Sequence, residues 1–299
     1  MINDRKKKDV ENIVFDVLSK SKSLGVFPTP VDKILKYAEL RVNSGVDLSQ
    51  IPSNFFAKSG LFIKRGITKG VTKVRGVLDR REKVIYLDLT QLEQKKRFVK
   101  LHEAGHELCT WQGKLYDYLD DDETLDPDIK DEFEAEANLF ASASLFQLSL
   151  FNDQMDLLPL ELASAMQLAK VFGSSIHAAI RRYVEQSNKR CSLIVLNKES
   201  THSFGLPKFT VRNYFQSPSF TRDFGSLDWG TELSTEIPFV QDYSANRKFL
   251  KSEMTVITND ESIACDYHFF CNGYNAFVFI FPKGEKIRTR TSIIINSSN

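Results

Sequence analysis

The chain has 299 residues, 42% hydrophobic and 26% charged, with a formal net charge of +1. That is the composition of a globular protein with core material for one large domain or two, and it gives no overall electrostatic reason to bind nucleic acid or an anionic membrane. No stretch reaches the roughly 18 apolar residues of a membrane-spanning helix.

The four cysteines, Cys109, Cys191, Cys265 and Cys271, form no Cys-x-x-Cys pair. The basic start Arg5-Lys6-Lys7-Lys8 runs into the amphipathic stretch Val10–Leu18, not into the apolar core of a secretory leader. The expectation is a cytoplasmic protein with free thiols and no membrane association.

Residues 4–23 read as a helix with Val10, Ile13, Val14, Val17 and Leu18 on one face. The basic cluster beside Asp4 and Asp9 reads as a solvated helix end rather than a nucleic-acid arm. Leu24–Pro30 breaks the pattern, and a second helix follows over 31–40 with Val31, Ile34, Leu35 and Ala38 inward. Residues 41–60 read as irregular. Residues 61–89 are strand-like: 74–79 and 83–88 flank Arg80-Arg81-Glu82 as a hairpin.

A motif helix comes next. Thr90-Gln-Leu-Glu93 suggests a capping box and Gly113 a C-cap, with Leu92, Phe98, Leu101, Gly105 and Leu108 as the buried stripe. Within it stands His102-Glu103-Ala-Gly-His106. Positions four apart share a helix face, so both imidazoles can reach one Zn²⁺. Glu103 lies on the adjacent flank, placed to activate a water without ligating the metal. Chance alone can write His-Glu-x-x-His on an amphipathic helix. Its place mid-helix after a strand pattern favours the metal.

Residues 114–128 are acidic and loop-like, read as a solvated excursion rather than a second metal site. Residues 129–146 read as a helix with Phe133, Ala137, Phe140, Ala141, Ser144 and Leu145 inward. A catalytic zinc needs a third protein ligand and one open position. This helix offers Glu132, Glu134 and Glu136, and spacing alone does not choose among them. Residues 159–187 read as two short helices with a helix-turn-helix cadence. The second carries only Arg181 and Arg182 as basic residues, which favours a structural role over DNA binding.

From Cys191 the period changes to two, with strand candidates at 192–196, 209–215, 254–258, 262–270, 276–281 and 287–295. The abundant Phe beyond residue 200 suggests a well-packed β-rich half. Residues 216–252 are the least legible. His202 and His268 read as packed or surface residues, not ligands.

Two stretches carry a resemblance to the ImmA/IrrE family of metallo-endopeptidases. They are Arg97-Phe-Val-Lys-Leu-His102-Glu-Ala-Gly-His106 and Glu134-Ala-Glu-Ala-Asn138-Leu-Phe140-Ala141. The hairpin over 76–87 and Phe172–Ser175 to Arg181 also fit, so that the likeness spans roughly residues 10 to 187. It implies that the third ligand is Glu134, with Asn138 supporting the site from one turn later. It implies zinc, although Mn²⁺ suits two imidazoles and a carboxylate too. Arg181 matches a recurrent family arginine and is the candidate for oxyanion stabilisation, with His177 and Tyr183 as rivals. The family's Leu-Leu-Met-Pro is replaced here by Ser144-Leu-Phe-Gln147, and its Thr-Leu-Ala before the first His by Val99-Lys100-Leu101.

The expected fold is therefore α+β. Residues 1–188 form a zincin-like, mainly helical peptidase domain with a small sheet and the helix-turn-helix-like segment. Residues 189–299 form a β-rich α+β sensor or partner-binding domain of GAF-like type. The resemblance implies an endopeptidase that cleaves a helix-turn-helix repressor, inducing stress-response or mobile-element genes, with no direct nucleic-acid binding. The competing expectation is a DNA-binding or antitoxin-like regulator whose metal site is structural or vestigial.

Overall fold

The computed structural model describes residues 2–43, 76–87, 91–118, 127–200, 207–258 and 261–285. The strand expected at 287–295, His202, and Thr90 of the expected capping box lie outside these residues. The fold is α+β, with a helical N-terminal region and a β-rich C-terminal part. Among the described residues no helix is long and apolar enough to cross a membrane.

The chain divides into two compact units, Met1–Phe151 with Lys170–Ser175, and Asn152–Ala169 with Ile176–Asn299. By packing, then, most of the 159–187 segment goes with the C-terminal sheet, whereas the sequence reading kept it with the peptidase domain up to 188. Its apolar residues, among them Leu162, Ala165, Ile180 and Tyr183, are buried.

In the first unit, α1 (Asp4–Lys20) is capped by Asn3, whose side chain accepts from the Lys6 N–H, and buries Val10, Val14, Val17 and Leu18. Then come α2 (Val31–Tyr37) and β1 (Arg41–Asn43), the latter where an irregular stretch was expected. Strands β2 (Gly76–Asp79) and β3 (Val84–Leu87) form the expected antiparallel hairpin, and β1 joins β3 in parallel. Asp79 fixes the turn: its Oδ1 accepts from the N–H groups of Arg81 and Glu82 at 3.0 Å each. Among the described residues the sheet order β1-β3-β2 leaves β2 at an edge.

The motif helix α3 runs Glu93–Leu108. Its N-cap is Leu92, with no side-chain cap bond, so the capping box is not formed: Glu93 is the first helical residue, not the third. Nor is Gly113 its C-cap. The helix stops at Cys109, and Gly113 lies inside α4 (Thr110–Tyr118), which also replaces the start of the expected acidic loop. Burial decides both departures, since Cys109 and Gln112 are fully buried and hold the chain against the core where local signals favoured one uninterrupted helix.

The long helix α5 (Pro127–Phe146) packs along α3, with Phe133, Ala137, Phe140, Ala141, Ser144 and Leu145 buried as expected. Gly105 allows the close approach. A Cβ there would stand 3.1 Å from Phe140 Cβ and 3.2 Å from Ala137 Cα. Beyond α5, Gln147 is buried at positive φ and ties down the 23–29 loop. Its amide donates to Val26 O at 2.8 Å and Thr29 Oγ1 at 3.0 Å, and accepts from Gly25 N–H at 2.7 Å. The family's proline at this position has no such amide. Helix α6 (Leu150–Asp156) follows.

Helix α7 (Leu162–Phe172) ends before Gly173, its residues to Ala169 lying in the second unit, which also contains α8 (Ile176–Glu185). Its sheet is antiparallel, ordered β5-β4-β8-β7-β6, from β4 (Ser192–Ser200), β5 (Pro207–Gln216), β6 (Phe249–Thr258), β7 (Glu261–Cys271) and β8 (Asn275–Pro282). The illegible 216–252 stretch holds α9 (Pro218–Phe224) and α10 (Pro238–Ser244). Phe239, Val240 and Tyr243 of α10 join Ile194, Phe209, Tyr267 and Phe269 in the core on one sheet face. Aromatic contacts to α8 mark the other face: Tyr183 meets Phe279 and His177 meets Phe277.

Candidate metal centre

Helix α3 sets His102 and His106 one turn apart, with their Nε2 atoms 3.2 Å from each other. Helix α5 brings Glu134 across. Its two carboxylate oxygens lie 3.5 Å from His102 Nε2 and 3.5 Å from His106 Nε2. One donor atom from each residue falls within 4.8 Å of the others. A tetrahedral ion with bonds of about 2.0–2.2 Å separates its donors by roughly 3.4 Å. Two imidazoles and a carboxylate at this spacing thus fit a divalent metal. The cluster is graded in exposure: the His106 side chain is 1% exposed, His102 15% and Glu134 22%, which leaves one side open to solvent.

Charge is arranged to match. Burial alone would push Glu134 up, but hydrogen bonds from His102 and His106 outweigh it and hold the carboxyl far below its usual range. Burial likewise favours a neutral His102; Glu134 and Glu103 overcome that and raise its pKa. Glu103 is buried at 6% exposure, and burial raises its pKa, against the pull of the two histidines. Its carboxylate accepts from the backbone N–H of Leu78 on the edge strand β2. Gly76 makes that proximity feasible, because a Cβ there would sit 2.4 Å from Val99 Cγ1 and 3.3 Å from Glu103 Oε1.

The hairpin is clamped to the motif helix. Arg80 Nη2 donates to His106 O at 2.7 Å, and Lys83 pairs with Glu107. Lys100, unusual before the motif, reaches Asp32 of α2 at 3.3 Å. Asn138 Oδ1 lies 3.2 Å from His102 Nδ1. Arg181 belongs to the second unit, where it pairs with Glu185 at 2.9 Å and stacks over Phe215 at 4.8 Å. Its rivals are there too: His177 beside Phe215, and Tyr183 donating to Pro159 O at 2.9 Å. The three-ligand cluster includes none of them.

Sequence reasoning missed a second set of side chains. His106 Nδ1 is 2.8 Å from Gln112 Oε1, and Gln112 Nε2 donates to Glu136 Oε2 at 2.7 Å. Trp111 Nε1 donates to the same oxygen at 2.7 Å. Lys6 of α1 lies 3.5 Å from Glu136 Oε1 and 4.8 Å from the Trp111 ring centre. Glu136 was one of three carboxylates that spacing could not separate. Gln112 carried no signal, because the turn that folds it under His106 comes from the helix break at Cys109.

A family model described as the IrrE N-terminal-like domain of peptidase M78 matches residues 62–183. This is the ImmA/IrrE assignment that the paired motifs implied, and both lie within the matched residues. The domain family is a metallopeptidase-type one, which agrees with the divalent-metal donor set just described. The match runs to 183 and so takes in α8, which packing places with the C-terminal sheet. No curated protein matches the chain. Among solved structures, a Mycobacterium tuberculosis transcriptional regulator shares the fold at a TM-score of 0.51 and 12% identity, covering 92% of this chain and 76% of its own.

Proposed function

We propose that the protein is a zinc-dependent endopeptidase that cleaves a helix-turn-helix transcriptional repressor, thereby inducing stress-response or mobile-element genes. The observation that carries this reading is the pairing of the His102–His106–Glu134 donor set with the buried Glu103 beside β2, an edge strand among the described residues. A purely structural metal site needs no such carboxylate. The IrrE N-terminal-like domain supports peptidase chemistry, and the fold shared with a transcriptional regulator supports the regulatory role.

A divalent ion held by the three residues supplies Lewis acidity, making a water acidic and polarising a carbonyl. Glu103 does the proton work. Its raised pKa suits a group that takes a proton from water at its carboxylate and returns it to the leaving amine. The Leu78 N–H anchors that carboxylate and fixes where the proton is received. The outer edge of β2 offers backbone groups to an extended peptide, which holds the scissile bond against α3 by strand addition. Asn138 steadies His102 through Nδ1. In the second unit, the antiparallel sheet flanked by helices supports the GAF-like sensor reading.

The test is Glu103→Gln beside the wild type in a strain that also carries the helix-turn-helix repressor under trial. A peptidase loses repressor cleavage while keeping its metal. Unchanged induction of the repressed genes would instead establish a regulator that works by binding alone.

A further inference from the structure

We infer that Glu136 is a positioning residue that selects, through Gln112, the tautomer of His106 able to bind metal. The inference rests on the metal reading above. It concerns a carboxylate that ligates nothing.

Hydrogen-bond direction decides the tautomer. A neutral imidazole carries one N–H, and only its bare nitrogen can take a metal. His106 turns Nε2 towards His102 and Glu134, and Nδ1 towards Gln112. An amide has one accepting end and one donating end, and local geometry alone does not say which end faces the ring. Glu136 breaks that symmetry. A carboxylate accepts and does not donate, so the Gln112 NH₂ must face Glu136 Oε2, 2.7 Å away. The same NH₂ lies 3.4 Å from Phe133 O, another acceptor. The carbonyl end of Gln112 is thereby left to His106 Nδ1 and accepts its N–H at 2.8 Å. Nε2 is then the bare nitrogen, and it is the one in the ligand cluster. Were the amide reversed, it would donate to Nδ1 and move the proton to Nε2, where it blocks the metal.

The carboxylate is itself held. Gln112 and Glu136 are both fully buried, so neither can exchange its partner for bulk water. Trp111 fixes Oε2 and Lys6 faces Oε1, which gives the first helix a role at the metal. The relay is thus Lys6 and Trp111 to Glu136, Glu136 to Gln112, Gln112 to His106.

The experiment uses the full chain and zinc alone. The tautomer of the His106 ring is read by ¹⁵N NMR in the metal-free wild type, at a pH where the ring is neutral. Zinc affinity is read by chelator competition in Gln112→Met, Glu136→Gln and the double variant, beside the melting temperature of each metal-free protein. The expected wild-type ring is protonated at Nδ1. Glu136→Gln, which touches no ligand, should weaken zinc by about tenfold, Gln112→Met by about 10–100-fold, and the double variant no more than Gln112→Met. A wild-type ring protonated at Nε2, or wild-type zinc affinity in Glu136→Gln, would overturn the inference. So would additive losses, or a lower melting temperature in Glu136→Gln with unchanged affinity. The NMR reading needs no variant to fold, and it stands apart from the peptidase reading: zinc binding without proteolysis sinks only the latter.

Discussion

Gly105→Ala sets two effects of opposite sign against each other. In an exposed helix, replacing Gly by Ala stabilises by about 1 kcal/mol through backbone entropy. Here the new Cβ would lie 3.1 Å from Phe140 Cβ and 3.2 Å from Ala137 Cα. Carbon atoms prefer about 3.5–4.0 Å, so the shortfall is roughly 0.5 Å. The atoms in the way are Phe140 Cβ, Ala137 Cα and the Phe140 ring carbon Cδ1, and the first two cannot swing aside as a side-chain tip does. Relief requires α3 and α5 to part. Overpacking of this kind costs about 1–3 kcal/mol, so the net expectation is a loss of about 1 kcal/mol. For a protein of this size that lowers the melting temperature by about 2–4 °C. The same parting draws Glu134 away from the two histidines, so metal affinity should fall as well. The assay is a thermal melt of the metal-free protein together with chelator competition. A gain of about 1 kcal/mol with unchanged affinity would refute the close helix contact.

Gln147→Ala should destabilise the first unit by about 1–3 kcal/mol, measured by denaturant unfolding, because it removes the buried amide that bonds the backbone of the 23–29 loop. The cysteines should resist a thiol reagent until the protein is unfolded. All four are buried, and burial pushes Cys109 and Cys191 up to about 12 and Cys265 up to about 11. In the metal-free protein, the His102 ring should titrate above its ordinary value of about 6.5, since its carboxylate neighbours outweigh burial. The folded value exceeds the unfolded one, so the stabilisation is complete below about 6.5 and is lost as pH rises through the raised value. Proton and metal compete for the same ring, and metal affinity should climb across that interval in a pH titration.

Residue patterns with a single physical meaning were legible in the sequence. The period of α5 gave six buried residues of its inner face, because a helix packed along its length shows one stripe, but it did not give the buried Glu136, Ala143 and Phe146. The hairpin followed from two short β-rich runs flanking Arg80-Arg81-Glu82; that Asp79 closes its turn emerged only in the structure. The two candidate ligands on α3 followed from helical spacing, whereas the choice of Glu134 needed the resemblance, since three carboxylates shared its helix. What stayed hidden depended on tertiary burial. The end of α3 at Cys109 contradicts the Gly113 signal because the core claims Cys109 and Gln112. The Gln112–Glu136 pair exists only once that break is made. Lys6 read as one of a solvated basic run, and nothing local showed that it alone faces a buried carboxylate. The helices within 216–252 are short and lie between turns, so their periodicity spans too few residues to register.

The central claim is that His102, His106 and Glu134 hold one divalent ion. Metal content by mass spectrometry on the purified protein, beside His106→Ala, tests it most directly. The account predicts about one zinc per chain in the wild type and none in the variant. A wild-type protein that carries no metal, and takes up none when zinc is added, would contradict it.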